Sequence, residues 1–172
     1  DGNDTIEYDY SGLHIRMLYH KLGLEFEGDP YAIDDGVLRT KEEKEEIRGI
    51  YKLVSLISIN AKRQGAHIAV RDALEDAEFA IAEDLDAVIG MMKDFQTRHA
   101  DIEKFLFSGE GINLQNKDSK IMEKILMRLH DQRIVGLCIH DSLIVEKEHA
   151  DLLHKIMMEE YEEELEYEPV VK

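Results

Sequence analysis

Val135-Gly136-Leu137-Cys138-Ile139-His140-Asp141-Ser142-Leu143-Ile144-Val145-Glu146 is the stretch on which the rest of the chain turns. Two short apolar runs rich in β-branched residues flank a polar tripeptide, the pattern of a tight hairpin. The pattern predicts strands over 134–140 and 143–147 with the turn at Asp141-Ser142. Apolar residues fall on both faces of the first run, so both faces are expected to be buried. Cys138, the one cysteine, is then a buried, inert thiol with no internal disulfide partner. An aspartate at such a tip can face a second carboxylate at the end of a neighbouring strand.

Asp9 is the candidate for that second carboxylate. Thr5 to Tyr8 alternates and carries β-favouring residues, so it reads as a strand feeding Asp9. From Ser11 onward Leu13, Met17, Leu18 and Leu22 share a face, which predicts a helix capped by Ser11. Taken singly, Asp9 reads equally as a helix N-cap residue, and His140-Asp141-Ser142 as an ordinary polar turn. Gly23 to Gly36 is a loop region. Lys41 to about Ala66 is a long helix, and 3–4 spacing of apolar residues predicts a second from Val70 to Phe95. A shorter helix is expected over Asp101–Phe107, then a break at Gly109-Glu110-Gly111. The next helix is capped by Asp118 or Ser119 and buries Ile121, Met122, Ile125, Leu126 and Leu129. A helix from about His149 to Leu165 and a short final strand over Tyr167–Val171 complete the order. This is an α+β arrangement with a small antiparallel sheet covered by helices.

Two segments carry a family resemblance. Asp9-Tyr10-Ser11-Gly12-Leu13-His14-Ile15-Arg16 resembles motif A of family A, DNA polymerase I-like DNA polymerases (D-Y-S-x-x-E-x-R), with aspartate, tyrosine, serine and arginine in register. His140-Asp141-Ser142 resembles motif C of the same family, and its serine is that of the single-subunit phage RNA polymerases. Between them Arg48 and Lys52 stand at the spacing of the arginine and lysine of a fingers helix. Leu56 and Asn60-Ala61 depart there from the expected aromatic and Tyr-Gly. Asn113-Leu114-Gln115-Asn116-Lys117-Asp118-Ser119 resembles the segment preceding motif C.

The resemblance implies template-directed nucleotidyl transfer by a two-metal mechanism, with Asp9 and Asp141 holding two Mg²⁺ or Mn²⁺ ions. Such ions, roughly 3.5–4 Å apart, activate the attacking hydroxyl and hold the leaving pyrophosphate. Magnesium is hard and needs few protein ligands, so two carboxylates with phosphates and water suffice. Lys52 and Arg48 are expected at the triphosphate, where positive charge offsets charge building on the leaving group. Tyr10 and His14 are expected at the nucleotide, His14 replacing the glutamate that walls off the ribose 2′-position. Arg16, Gln115 and His140 are expected at the primer–template. The implied division is a palm part at 1–36, reduced helical fingers at 37–108 and a second palm part at 109–172. Because the sequence starts just before the first motif, a thumb and further palm are expected upstream, or a replication partner in their place.

Charge opposes that reading. A net charge of −17 is the wrong sign for a surface that binds a polyanion. The acid is concentrated, however, in Asp72–Asp86 and Glu159–Glu168, both read as solvated faces. Lys44, Arg48 and Lys52 form one helical stripe, extended by Lys41, Lys62 and Arg63. No apolar run approaches the ~20 residues of a membrane span, and the N-terminal residues are not a signal peptide. No membrane partner is expected, and cytoplasmic residence in a bacterial, phage or plasmid setting is the simple inference. Three other readings compete: a degenerate palm acting as a structural or interaction module, a His-Asp metal phosphohydrolase, and an unrelated acidic helical binding protein. The phosphohydrolase needs further histidines in helical register, whereas His140-Asp141 falls in a hairpin.

Overall fold

The computed structural model describes residues 2–33 and 36–172 and is an α+β protein. The chain divides into two compact units, one formed by Asp1–Glu25 with Asn113–Lys172 and the other by Phe26–Ile112.

The first unit is built on a three-stranded antiparallel sheet of order β1-β3-β2. Strand β1 is Thr5–Asp9, β2 Leu137–Ile139 and β3 Ser142–Glu146. The alternation in β1 places Ile6 and Tyr8 on one face and Thr5, Glu7 and Asp9 on the other, exposed one. Thr5 pairs with Glu146, Glu7 with Ile144 and Asp9 with Ser142. Leu143 and Val145 of β3 are fully buried. Three helices complete this core: α1 (Leu13–His20), α5 (Gly111–Asp131) and α6 (Ala150–Leu165). Their buried residues include Ile15, Leu18, Ile121, Ile125, Leu129, Leu153, Ile156 and Met157, each stabilising the fold by about 1.5–3 kcal/mol relative to exposure. Beyond Asp9 the chain end adds a further pairing. The Asp9 N–H donates to the Lys172 carbonyl (2.9 Å), the Lys172 N–H donates back (3.0 Å), and Tyr10 bridges Val171. The expected final strand is thus a short antiparallel partner of residues 9–11.

Several expectations are corrected here. Strand β2 is only three residues long and lies at the sheet edge, so Val135, Leu137 and Ile139 are 79%, 60% and 52% exposed rather than buried. Cys138 is likewise exposed. Apolar composition says nothing of how many neighbours a strand has. Ser11 does not cap α1. Gly12 is the N-cap residue, at φ 64°, and makes no side-chain cap bond. Nor do Asp118 and Ser119 cap α5, which begins at Gly111 and carries both in its interior. The Ser119 hydroxyl donates instead to the Gln115 carbonyl one turn back (2.8 Å). The acidic run of α6 is only partly a solvated face. Glu160 is buried and accepts from Arg128 of α5 (2.8 Å), which also reaches Glu159 (2.6 Å).

The second unit is helical. Helix α2 (Lys41–Asn60) opens on a capping box, with Glu43 N–H donating to the Thr40 hydroxyl and Thr40 N–H to the Glu43 carboxylate. The long helix expected over 70–95 is broken into α3 (Ala66–Asp76), a 3₁₀ turn at Ala80–Glu83 and α4 (Leu85–Arg98). Glu78 adopts φ 60°, the Phe79 N–H closes back on Leu74 O (2.9 Å), and Asp84 caps α4 by accepting from Ala87 N–H (3.0 Å). The Phe79 ring packs on Gly49 of α2, where a Cβ would lie 2.9 Å from its Cζ. The expected helix at 101–107 is a 3₁₀ segment, Ala100–Phe105. Tyr51 donates to Asp94 (2.6 Å), and His99, fully buried, is 3.0 Å from the Pro30 carbonyl.

Candidate active site

Asp9 ends β1 and Asp141 closes the hairpin beside it. The loop joining β2 to β3 has two residues, His140 and Asp141. The turn therefore lies one residue earlier than the sequence pattern suggests. His140 adopts φ 56°. Two-residue hairpin loops need positive φ at the first central position to match strand twist, normally at the expense of a glycine. Histidine tolerates this left-handed region better than most residues with a side chain. The Ser142 hydroxyl donates to Ile139 O (3.0 Å), closing the loop on itself.

The sheet brings the end of β1, at Asp9, next to the hairpin loop that carries Asp141. Asp9 is paired with Ser142, and the Tyr10 N–H points to the Asp141 carbonyl at 3.4 Å. Asp141 thus stands opposite Tyr10, one step along from the Asp9–Ser142 pair. Asp9 is exposed and Asp141 half-buried. On its other edge Asp9 is held by the paired bonds to Lys172. The backbone of Asp9 is thereby fixed from both sides while its side chain stays open.

The remaining expected residues are placed unequally. Tyr10 is buried, its hydroxyl donating to Met157 O (2.6 Å) and its ring 5.4 Å from that of Tyr161. Burial first, then the neighbouring Tyr161, Glu160 and Asp118, push its ionisation far up. Its side chain belongs to the core, so only its backbone faces the site. Arg16 is also buried, with Nε donating to Ser11 O (2.9 Å). That bond braces the turn after Asp9, and burial takes the guanidinium away from an open phosphate surface. His140 and Gln115 are exposed. His14 is the one residue of α1 that is not fully buried, and its Nε2 lies 3.5 Å from Asp118 Oδ2.

In the second unit Arg48, Lys52, Leu56 and Asn60 run along one face of α2, with Lys52 and Asn60 exposed and Leu56 51% exposed. Arg48 is not a bare cation: Nε contacts Asp29 at 2.5 Å, and the guanidinium lies 5.5 Å from the Tyr31 ring centroid.

Carboxylate oxygens are the ligands that Mg²⁺ or Mn²⁺ takes when phosphates and water complete its shell, and Asp9 at the end of β1 and Asp141 in the hairpin loop are the carboxylates at this end of the sheet. Among the described residues, one group of three donors lies within 4.8 Å of one another: Glu146, Glu148 and His149. It stands at the far end of β3 from Asp141. Cys138, though exposed, is a poor nucleophile. Partial burial, then the charges of Asp118 and Asp141, push its thiol up. In the sequence Asp118 reads as a helix cap, because its partner His14 is remote along the chain.

No protein-family model matches the sequence, and no curated protein matches it either. Among the described residues no helix is long and apolar enough to cross a membrane.

Proposed function

We propose that this chain carries the catalytic centre of a template-directed nucleotidyltransferase resembling the family A DNA polymerases, with Asp9 and Asp141 as ligands of two Mg²⁺ or Mn²⁺ ions. The observation that supports it most is the pairing of Asp9 with Ser142, which puts the end of β1 beside the hairpin loop that carries Asp141. The ions would supply Lewis-acid stabilisation of charge on a phosphate and a lowered pKa for the attacking hydroxyl. The chain's own residues do the rest. Ser142 and Lys172 fix the Asp9 backbone, His140 shapes the loop that presents Asp141, and His14 faces the nucleotide sugar. Lys52 is the cation that the resemblance assigns to the triphosphate, while Arg48 shares its charge with Asp29. The nucleic-acid contacts in this reading are His140 and Gln115. Primer–template and nucleoside triphosphates are the partners.

A second reading is a palm that has lost catalysis and serves as an interaction module. It is favoured by the ion pair that partly neutralises Arg48 and by the apolar edge of β2. Primer extension separates the two. Mg²⁺-dependent incorporation by the protein on a primed template, abolished in Asp9→Ala and Asp141→Ala, supports the catalytic reading. Synthesis that persists undiminished in Asp141→Ala overturns the active-site assignment.

A further inference from the structure

Helix α1 is buried on nearly every side, and its one opening is at His14. Across that opening stands Asp118, in the interior of α5. An aspartate within a helix is disfavoured, because its short carboxylate competes for local backbone groups and is better used as a cap. Asp118 caps nothing. Its Oδ2 is 3.5 Å from His14 Nε2, with the two side chains only 19% and 22% exposed. His14 Nε2 and Asp118 Oδ1 are shielded from solvent and have no hydrogen-bond partner. Shielded polar atoms without partners are costly, and a sub-ångström shift of either side chain would bring these two groups into hydrogen-bond range. Asp118 also acts electrostatically on Tyr10 and, together with Asp141, on Cys138.

We infer that Asp118 is a positioning residue for His14, holding the imidazole through Nε2 and so setting how strictly the site distinguishes a deoxyribose from a ribose. The inference rests on the nucleotidyltransferase reading, which makes His14 the side chain nearest the sugar. An imidazole pivots about two bonds, and a hydrogen bond to a fixed carboxylate removes that freedom.

Two measurements on the chain test this separately. The first follows the His14 ring by ¹⁵N–¹H NMR. Its Nε2 resonance moves in Asp118→Ala, returns most of the way in Asp118→Asn, which keeps an acceptor, and stays put in the surface control Glu123→Gln. The second compares binding of dGTP and GTP, with Mg²⁺, to the protein on a primed template ending in a dideoxynucleotide. Asp118→Ala lowers the ratio of the two affinities by about threefold or more and changes the tighter one by less than about twofold. His14→Ala lowers it equally, and the double variant falls no further. An unchanged His14 resonance in Asp118→Ala overturns the inference. So does an unchanged ratio where the wild-type protein discriminates. A wild-type protein that binds neither nucleotide overturns the nucleotidyltransferase reading itself.

Discussion

Asp9 and Ser142 face each other across the β1–β3 ladder, and this single pairing sets the position of Asp141 relative to Asp9. Asp141 precedes Ser142, so the hairpin tip stands beside the end of β1, where Lys172 braces Asp9 from the other edge. Two carboxylates are too few for an all-protein magnesium site. The free protein should therefore bind Mn²⁺ only weakly, with a dissociation constant on the order of a millimolar. Paramagnetic broadening of amide signals should centre on residues 9–11 and 140–142. Tight binding that survives Asp9→Ala with Asp141→Ala would contradict the assignment.

Arg128 links α5 to the acidic run of α6 and is the partner of buried Glu160. Removing it leaves a carboxylate with little access to water. Arg128→Ala is expected to destabilise the first unit by about 1–3 kcal/mol, the lower end reflecting the partial exposure of Arg128. Glu159→Ala, on the exposed side of the same cation, should cost much less. Urea denaturation of both variants gives the comparison, and equal costs would show that burial of Glu160 does not matter.

Acidification should weaken the fold through His20. Burial, and then the neighbouring Arg16 charge, lower its pKa to about 4. Its Nδ1 is 2.9 Å from the Tyr161 hydroxyl, and its ring stacks on Tyr167 at 4.4 Å. The unfolded chain takes up the proton near pH 6.5 and the folded one only near 4. Stability is thus fully present above about 6.5 and is lost as pH falls towards 4, by at most about 3 kcal/mol. His99, whose pKa burial also lowers, acts in the same direction. The urea midpoint should fall between pH 7 and 4, and His20→Gln should flatten that slope. A slope identical in His20→Gln would rule His20 out.

The same comparison shows what the sequence carries and what it hides. Alternation at Thr5–Asp9 and the apolar runs around His140 were enough for β1 and the hairpin, because a strand's period is local. The break between α3 and α4 was missed because apolar 3–4 spacing continues through Ala77 and Ile81. What ends α3 is the left-handed Glu78 and the docking of Phe79 on Gly49, a tertiary contact. Asp84 caps α4 only because α3 has already ended. The exposure of Cys138 depends on β2 having one neighbour, and the Asp118–His14 pair on two helices distant in sequence.

Gly49 illustrates that tertiary term. Alanine is the better helix former by up to ~1 kcal/mol, yet its methyl would meet the Phe79 ring edge. Gly49→Ala should therefore lower stability by about 1 kcal/mol net. In a Phe79→Leu background the same change should become neutral or stabilising. A double-mutant cycle in urea measures the sign reversal, and additive costs would mean the ring moves aside freely.

Two of the cations of α2 differ in how they are paired. Lys52 and Arg48 are one turn apart, but Arg48 is tied to Asp29 at 2.5 Å whereas Lys52 is exposed. A charge already paired is worth less to a triphosphate than one that pairs only when the ligand arrives, because part of its field is cancelled beforehand. Lys52→Ala should lower the rate of incorporation about 10²-fold, the scale of removing one preorganised group that stabilises transition-state charge. Primer–template affinity should change little. Arg48→Ala should cost less in rate but more in stability, since it removes the cation that Asp29 Oδ2 contacts. Asp29→Asn should release Arg48 and narrow its difference from Lys52. Single-turnover extension with saturating primer–template separates rate from binding. Equal rate losses in Lys52→Ala and Arg48→Ala, with Asp29→Asn without effect, would show that the ion pair does not set the order.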